Sequence, residues 1–171
     1  MAEPRGLEDF AGTVMEGFDE VLGRLDELDG QRVALLGDSG LVTRAARRVS
    51  RPAALLKVFQ RDPVWVLPHV APGAPLLAAA RTVVPRLVYR RVTDVVATRH
   101  LRHQISDGWT RRQLTPSNRP TRANVVYSNG YYRALRRDDV ELIAWPIAGV
   151  VASGIRTADG IEHHVDIIVI V

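Results

Sequence analysis

The clearest hydrophobic pattern in the chain is Arg32-Val33-Ala34-Leu35-Leu36, in which four apolar residues follow one another without a polar interruption. A short, continuous run of this kind predicts a strand buried on both faces. Gly37-Asp38-Ser39-Gly40 breaks it with a tight turn, and Leu41 to Ser50 then read as a helix that stops before Pro52. A second block, Leu55-Leu56-Lys57-Val58-Phe59, follows directly. Strand, glycine turn, helix and strand within about 30 residues predict a βαβ unit and a parallel strand pair.

Beyond it, Asp62 to Pro68 is an extended, proline-bounded segment. At about 74–114 the spacing becomes helical. Leu77, Val84, Leu87, Val88, Val92, Val95 and Val96 fall on one side, and Arg81, Arg86, Arg90, Arg91, Arg99 and Arg102 largely on the other. Pro85 is expected to kink or divide this stretch. Thr115 to Asn124 is polar and loop-like. Short strands are expected at Val125–Tyr127, Val140–Ile143, Ile147–Val151, Ile155–Thr157 and Asp166–Val171, with a one-turn helix at Tyr131–Leu135. Ser153-Gly154 and Asp159-Gly160 supply hairpin turns. The first thirty residues are acidic and carry Gly6, Gly12, Gly17, Gly23 and Gly30, so they read as a leader whose second half, Phe18 to Leu28, forms a short amphipathic helix. The predicted architecture is α/β: a leader (1–30), then one domain (31–171) with a Rossmann-like parallel sheet, a helical insertion and a β-rich C-terminal segment.

Composition narrows the function classes. With 171 residues, 46% hydrophobic and 25% charged, the chain suits one globular domain. The net charge of +4 comes from scattered arginines, Lys57 being the only lysine, which argues against a nucleic-acid face. The absence of cysteine excludes disulfides, thiolate catalysis and cysteine–metal sites. No apolar run reaches the roughly 18–20 residues of a membrane span. Glu3, Glu8 and Asp9 are foreign to a secretory signal, so a cytoplasmic location is expected. His100-Leu101-Arg102-His103 and Glu162-His163-His164 lack supporting carboxylates and read as solvated histidines, not metal ligands. Asp26-Glu27 and Asp138-Asp139 read as exposed charge. No Ser-His-Asp order or G-x-S-x-G elbow occurs, and no catalytic residue is assigned.

The turn after the first strand carries the candidate chemistry. Dinucleotide binding uses G-x-G-x-x-G/A, with glycines for the sharp turn, for close approach of amides to the pyrophosphate, and for helix–strand packing. Gly37 meets the first position; Ser39 and Val42 occupy the other two. Gly40 offsets part of the loss at Ser39, whereas Asp38 places a negative charge beside the phosphate position. At the tip of the second strand, Gln60-Arg61 offers an arginine where an acidic residue would hold an NAD ribose, which suits the 2′-phosphate of NADPH. The cofactor-binding set is therefore Gly37, Ser39, Gly40, Leu41, Gln60 and Arg61. A weakened NADP site and a scaffold without cofactor both remain open.

The run Val58-Phe59-Gln60-Arg61 with Trp65-Val66-Leu67-Pro68, at ungapped spacing from Gly37, resembles the V-x-G-x-G-x-x-A … V-F-Q-R-T-P-x-W-V-x-P segment of Baeyer–Villiger flavin monooxygenases. Pro4 to Gly12, Arg111 to Pro116, Ser128 to Tyr132, Asp139 to Leu142 and Thr157 to Val171 are similar to further family segments in the same order. The resemblance implies an NADPH-binding-type domain. It also implies departures at working positions. In the family fingerprint F-x-G-x-x-x-H-x-x-x-W, Phe10 and Gly12 match, but Glu16 and Glu20 stand at the His and Trp positions. The family's K-R pair, whose arginine lies over the flavin, falls on Ala123-Asn124, with Arg122 adjacent. The FAD-binding G-x-G-x-x-G is not found in the chain. FAD is accordingly not expected to bind it alone, and unaided oxygenation is not expected. An FAD-bearing protein or a second copy is the expected partner. A protein-interaction scaffold or a truncated, decaying remnant is the alternative.

Overall fold

The computed structural model describes residues 4–69, 85–121 and 123–171. Its centre is a parallel five-stranded sheet in the order β1-β10-β2-β3-β6, formed by β1 (Thr13–Glu16), β10 (Ile167–Ile170), β2 (Arg32–Leu36), β3 (Leu55–Phe59) and β6 (Val140–Ile143). Alternation along β2 explains its continuous apolar run. Val33 and Leu35 join the core on one face with Leu56, Val58, Ile167 and Val169. Ala34 and Leu36 join the opposite core with Phe59 and Ile168. Both faces of the strand are buried, so neither tolerates a polar residue.

Helices cover the first face. α2 (Ser39–Val49) lays Val42, Ala45, Ala46 and Val49 on the sheet, and α1 (Phe18–Gly23) and α5 (Tyr131–Ala134) pack beside it. The second face is covered by an antiparallel sheet of β7 (Ile147–Val151), β8 (Gly154–Thr157) and β9 (Glu162–His164), through Val150 and Ile155. A separate parallel pair, β4 (Trp65–Leu67) and β5 (Val125–Tyr127), packs on α3 (Arg86–Gln104) through Ala97; α4 (Gly108–Gln113) follows α3.

Three expectations are corrected. Part of the stretch read as a leader is sheet: Thr13–Glu16 pairs in parallel with Ile167–Ile170, an edge strand with Met15 as its one buried residue. The helix expected at Phe18–Leu28 ends at Gly23, and Leu25–Leu28 forms a 3₁₀ turn. On α3 the expected apolar face is not the buried one, although Arg91, Arg99 and Arg102 are exposed as expected. Thr93, Ala97 and Leu101 are buried, while Leu87, Val88, Val92, Val95 and Val96 are exposed, Leu87 at 71%. The small Ala97 lets the helix pack on Trp65 and Leu67 of β4, and the valines are left outward. The part of the insertion preceding Pro85, with Leu77, Arg81 and Val84, lies outside the described residues, as does Arg122. Among the described residues no helix is long and apolar enough to cross a membrane.

Glu162-His163-His164 is also corrected, because it forms β9 with His163 buried. His163 sits edge-on to Phe59 at 5.4 Å. Lys57 Nζ lies 3.4 Å from its Nδ1, and Thr157 Oγ1 lies 3.2 Å from its Nε2. An ammonium can only donate, so Nδ1 accepts and Nε2 carries the proton toward Thr157, which in turn donates to Asp159. Burial, and next the Lys57 ammonium, push the His163 pKa below 6.5; Glu141 and Asp159 oppose this in part. A histidine with a depressed folded pKa stabilises fully above its unfolded value, and that contribution is lost as pH falls through the folded one. We expect the urea midpoint to fall between about pH 7 and pH 5, with a smaller fall in His163→Asn. Equal slopes in the two proteins would show that this histidine contributes nothing to acid sensitivity.

Candidate functional site: a cleft at the carboxyl ends of the parallel strands

The strand order reverses beside β2, and open parallel sheets place ligands outside the carboxyl ends of strands at such a point. A cleft of about 720 Å³ opens there, lined by Leu36 and Gly37 after β2, by Phe59, Gln60 and Arg61 after β3, and by Trp145, Pro146 and Ile147 after β6. Gly37 has φ 135°, and a Cβ on it would stand 1.7 Å from the Val171 carbonyl oxygen. Only glycine lets the turn pass this close to the end of β10.

The turn closes on α2 through Asp38, the residue before the first helical position. Its Oδ1 accepts from Gly40 N at 2.9 Å and Leu41 N at 3.1 Å. Sequence reasoning placed Asp38 as a charge opposing phosphate. The structure makes it the N-cap, which satisfies the amides an anion would otherwise take. An aspartate directly before a helix start was the signal for this. Val42 is fully buried at the third glycine position of the motif, so this branched side chain is accommodated by the helix–sheet contact.

The six candidate cofactor residues are divided by the structure. Gly37, Ser39, Gln60 and Arg61 line the cleft. Gly40 and Leu41 line a second cavity on the other side of Asp38, which borders both. Gln60 is 4% exposed and has its amide engaged: Nε2 donates to Ser39 O at 3.4 Å, and Oε1 accepts from Tyr131 Oη. Tyr131 is buried, and burial raises its pKa, so it remains a neutral donor. The Arg61 side chain is 65% exposed, and its one ion pair among the described residues is with the exposed Asp62 at 3.3 Å, which leaves most of its guanidinium open to a ligand.

Other positions singled out by the resemblance have local roles. Asn124 Oδ1 accepts from Thr121 N and Oγ1 at 2.6 and 3.0 Å, and its Nδ2 donates to Arg119 O, so it pins its own loop. Glu20 pairs with Arg24 at 2.8 Å on the surface. Among the described residues no group of acids and histidines could hold a metal.

The sheet, its reversal point and the glycine turn define a Rossmann-like α/β fold with a cleft at the carboxyl ends of its strands. No family model matches the chain. Among curated proteins it is 32% identical over 191 aligned positions to an uncharacterized monooxygenase of Mycobacterium tuberculosis, covering 96% of this chain and 38% of that protein. It is 27% identical to a Baeyer–Villiger monooxygenase of Pseudomonas aeruginosa, covering 98% of this chain and 36% of that protein. Cyclohexanone monooxygenase bound to cyclohexanone superposes with a TM-score of 0.78 at 19% identity, over 99% of this chain and 45% of that one. OTEMO in complex with FAD and NADP gives 0.78 at 18% identity, over 99% and 44%. The chain is thus related, over nearly all of its own length, to one part of the Baeyer–Villiger and other flavin-type monooxygenases. It spans less than two-fifths of the curated relatives named here. The first alignment is longer than the 171-residue chain, so that relative holds residues inside the matched stretch that have no counterpart here.

Proposed function

We propose that this chain is the pyridine-nucleotide-binding part of a Baeyer–Villiger-type monooxygenase, and that oxygenation depends on a flavin carried outside these 171 residues. The observation behind this reading is the cleft that joins the Gly37 turn to Arg61 at the carboxyl ends of β2 and β3. The residues fit NADPH in position and in Arg61, whose guanidinium suits a 2′-phosphate. Asp38 opposes it, and its carboxylate must swing away before the Gly40 and Leu41 amides can receive phosphate. NADPH, when bound, supplies a hydride. The chain's own residues bind and orient it, Trp145 and Pro146 forming the far wall. An FAD-bearing polypeptide or a second copy is the proposed partner. The same Asp38 cap favours a second reading, a scaffold that uses the fold without cofactor.

Titration of the purified chain with NADPH and NADH separates the two. The nucleotide reading expects saturable binding of NADPH below about 1 mM, tighter than NADH, and loss of that preference in Arg61→Ala. Absence of saturable binding by either nucleotide leaves the scaffold.

A further inference from the structure

Arg44, Arg47 and Arg48 stand at i, i+3 and i+4 of α2, on one exposed helix face. They line a cavity of about 770 Å³ between α2 and the β5–α5 connection, together with His69, Ser128 and Asn129. None of the three has an ion-pair partner among the described residues. The one carboxylate on the wall is Asp38, whose Oδ1 is already shared between two amides. The neutral groups are also engaged: Ser128 Oγ accepts from Gly130 N and Tyr131 N, and the Asn129 side chain bonds the His69 backbone at 2.7 and 3.3 Å. The cavity therefore presents three like charges against a single carboxylate, Asp38, which forms no ion pair with any of them, so a net positive charge faces the cavity.

Arg47 is seated by its surroundings. A Cβ on Gly130 would lie 2.1 Å from Arg47 Cδ and 2.9 Å from its Cβ and Cγ, so only glycine at 130 lets that stem cross the β5–α5 connection.

We propose that this cavity binds a ligand carrying at least two anionic oxygen groups, phosphoryl or carboxylate, on Arg44, Arg47 and Arg48. Planar guanidinium forks match such groups in pairs, and three of them call for more than a single charge. The two cavities share Asp38, and Gly40 and Leu41, whose amides serve the proposed nucleotide site, also border this one; pyrophosphate binding on the three arginines does not itself require NADPH.

The probe is inorganic pyrophosphate, titrated calorimetrically into the purified chain at low salt. Saturable binding is expected, weakened about tenfold or more in the Arg44→Gln/Arg48→Gln double variant and unchanged in Arg61→Ala. All three side chains are solvent-exposed, so the variants should fold; circular dichroism checks this, and Arg48→Gln alone serves as a milder version with a smaller loss. Repeating the titration with saturating NADPH names the source of the anion. Competition assigns the dinucleotide's own phosphates, and undisturbed binding assigns a separate phosphorylated compound; both outcomes support the site. Failure of NADPH to bind leaves the pyrophosphate result intact. Non-saturable binding, or weakening by Arg61→Ala with the double variant unaffected, overturns the proposal.

Discussion

Asp38→Ser should bind NADPH about tenfold more tightly than the natural chain. The Asp38 carboxylate holds the Gly40 and Leu41 amides, and in the proposed nucleotide site its charge stands beside the pyrophosphate. A unit charge about 4 Å from another is worth several kcal/mol at intermediate dielectric. Solvent around this exposed side chain screens most of that, and roughly tenfold is the part expected to survive. Serine keeps an N-cap oxygen without the charge, so stability should change by less than about 0.5 kcal/mol. Asp38→Ala removes cap and charge together and should cost about 1 kcal/mol of stability while also improving binding. Calorimetric titration with thermal melts of the three proteins separates capping from repulsion. Equal affinity in all three would mean that the carboxylate does not guard the turn.

Gly37→Ala should be the most damaging single methyl in the molecule. The new Cβ would stand 1.7 Å from Val171 O and 2.7 Å from that residue's carbonyl carbon and nitrogen, and φ 135° is a conformation other residues rarely adopt. Relief requires separating the ends of β2 and β10, where Asp38 N donates to Val171 O at 2.7 Å and Val171 N to Leu36 O at 2.9 Å. A loss of about 3–5 kcal/mol is expected, or a melting point lower by on the order of 10 °C. Gly160→Ala is the control. Its φ is also positive, at 86°, but nothing lies within 4 Å of the added Cβ, so only about 1 kcal/mol of backbone strain should appear. Similar melting points for the two variants would remove the steric account of Gly37.

The sequence made the centre of the sheet legible because burial on two faces writes continuous apolar blocks. Arg32–Leu36 and Leu55–Phe59 appear at the predicted bounds, and Ile167–Ile170 falls within the predicted terminal strand. Edge elements left fainter marks. Thr13–Glu16 has one fully buried residue and Glu162–His164 has only His163, so neither carries an apolar run to detect. On α3 the valines suggest the wrong face, because the contact with β4 is made through Ala97, whose small size rather than strong hydrophobicity suits close packing. At the cleft, the positions of Gly37 and Arg61 follow from strand ends and could be read in advance. The engagement of Gln60 with Tyr131, 71 positions away, depends on tertiary packing and has no local signature. The Asp38 cap did have one, which was read as an opposing charge.

The most direct test of the nucleotide cleft is a map of backbone amide shifts in the ¹⁵N-labelled chain as NADPH is added. The largest changes are expected at Gly37 to Leu41, at Gln60 and Arg61, and at the Trp145 indole, with little change on α3 or on β8 and β9. Shifts confined to those distant surfaces, or none at millimolar nucleotide, would contradict it.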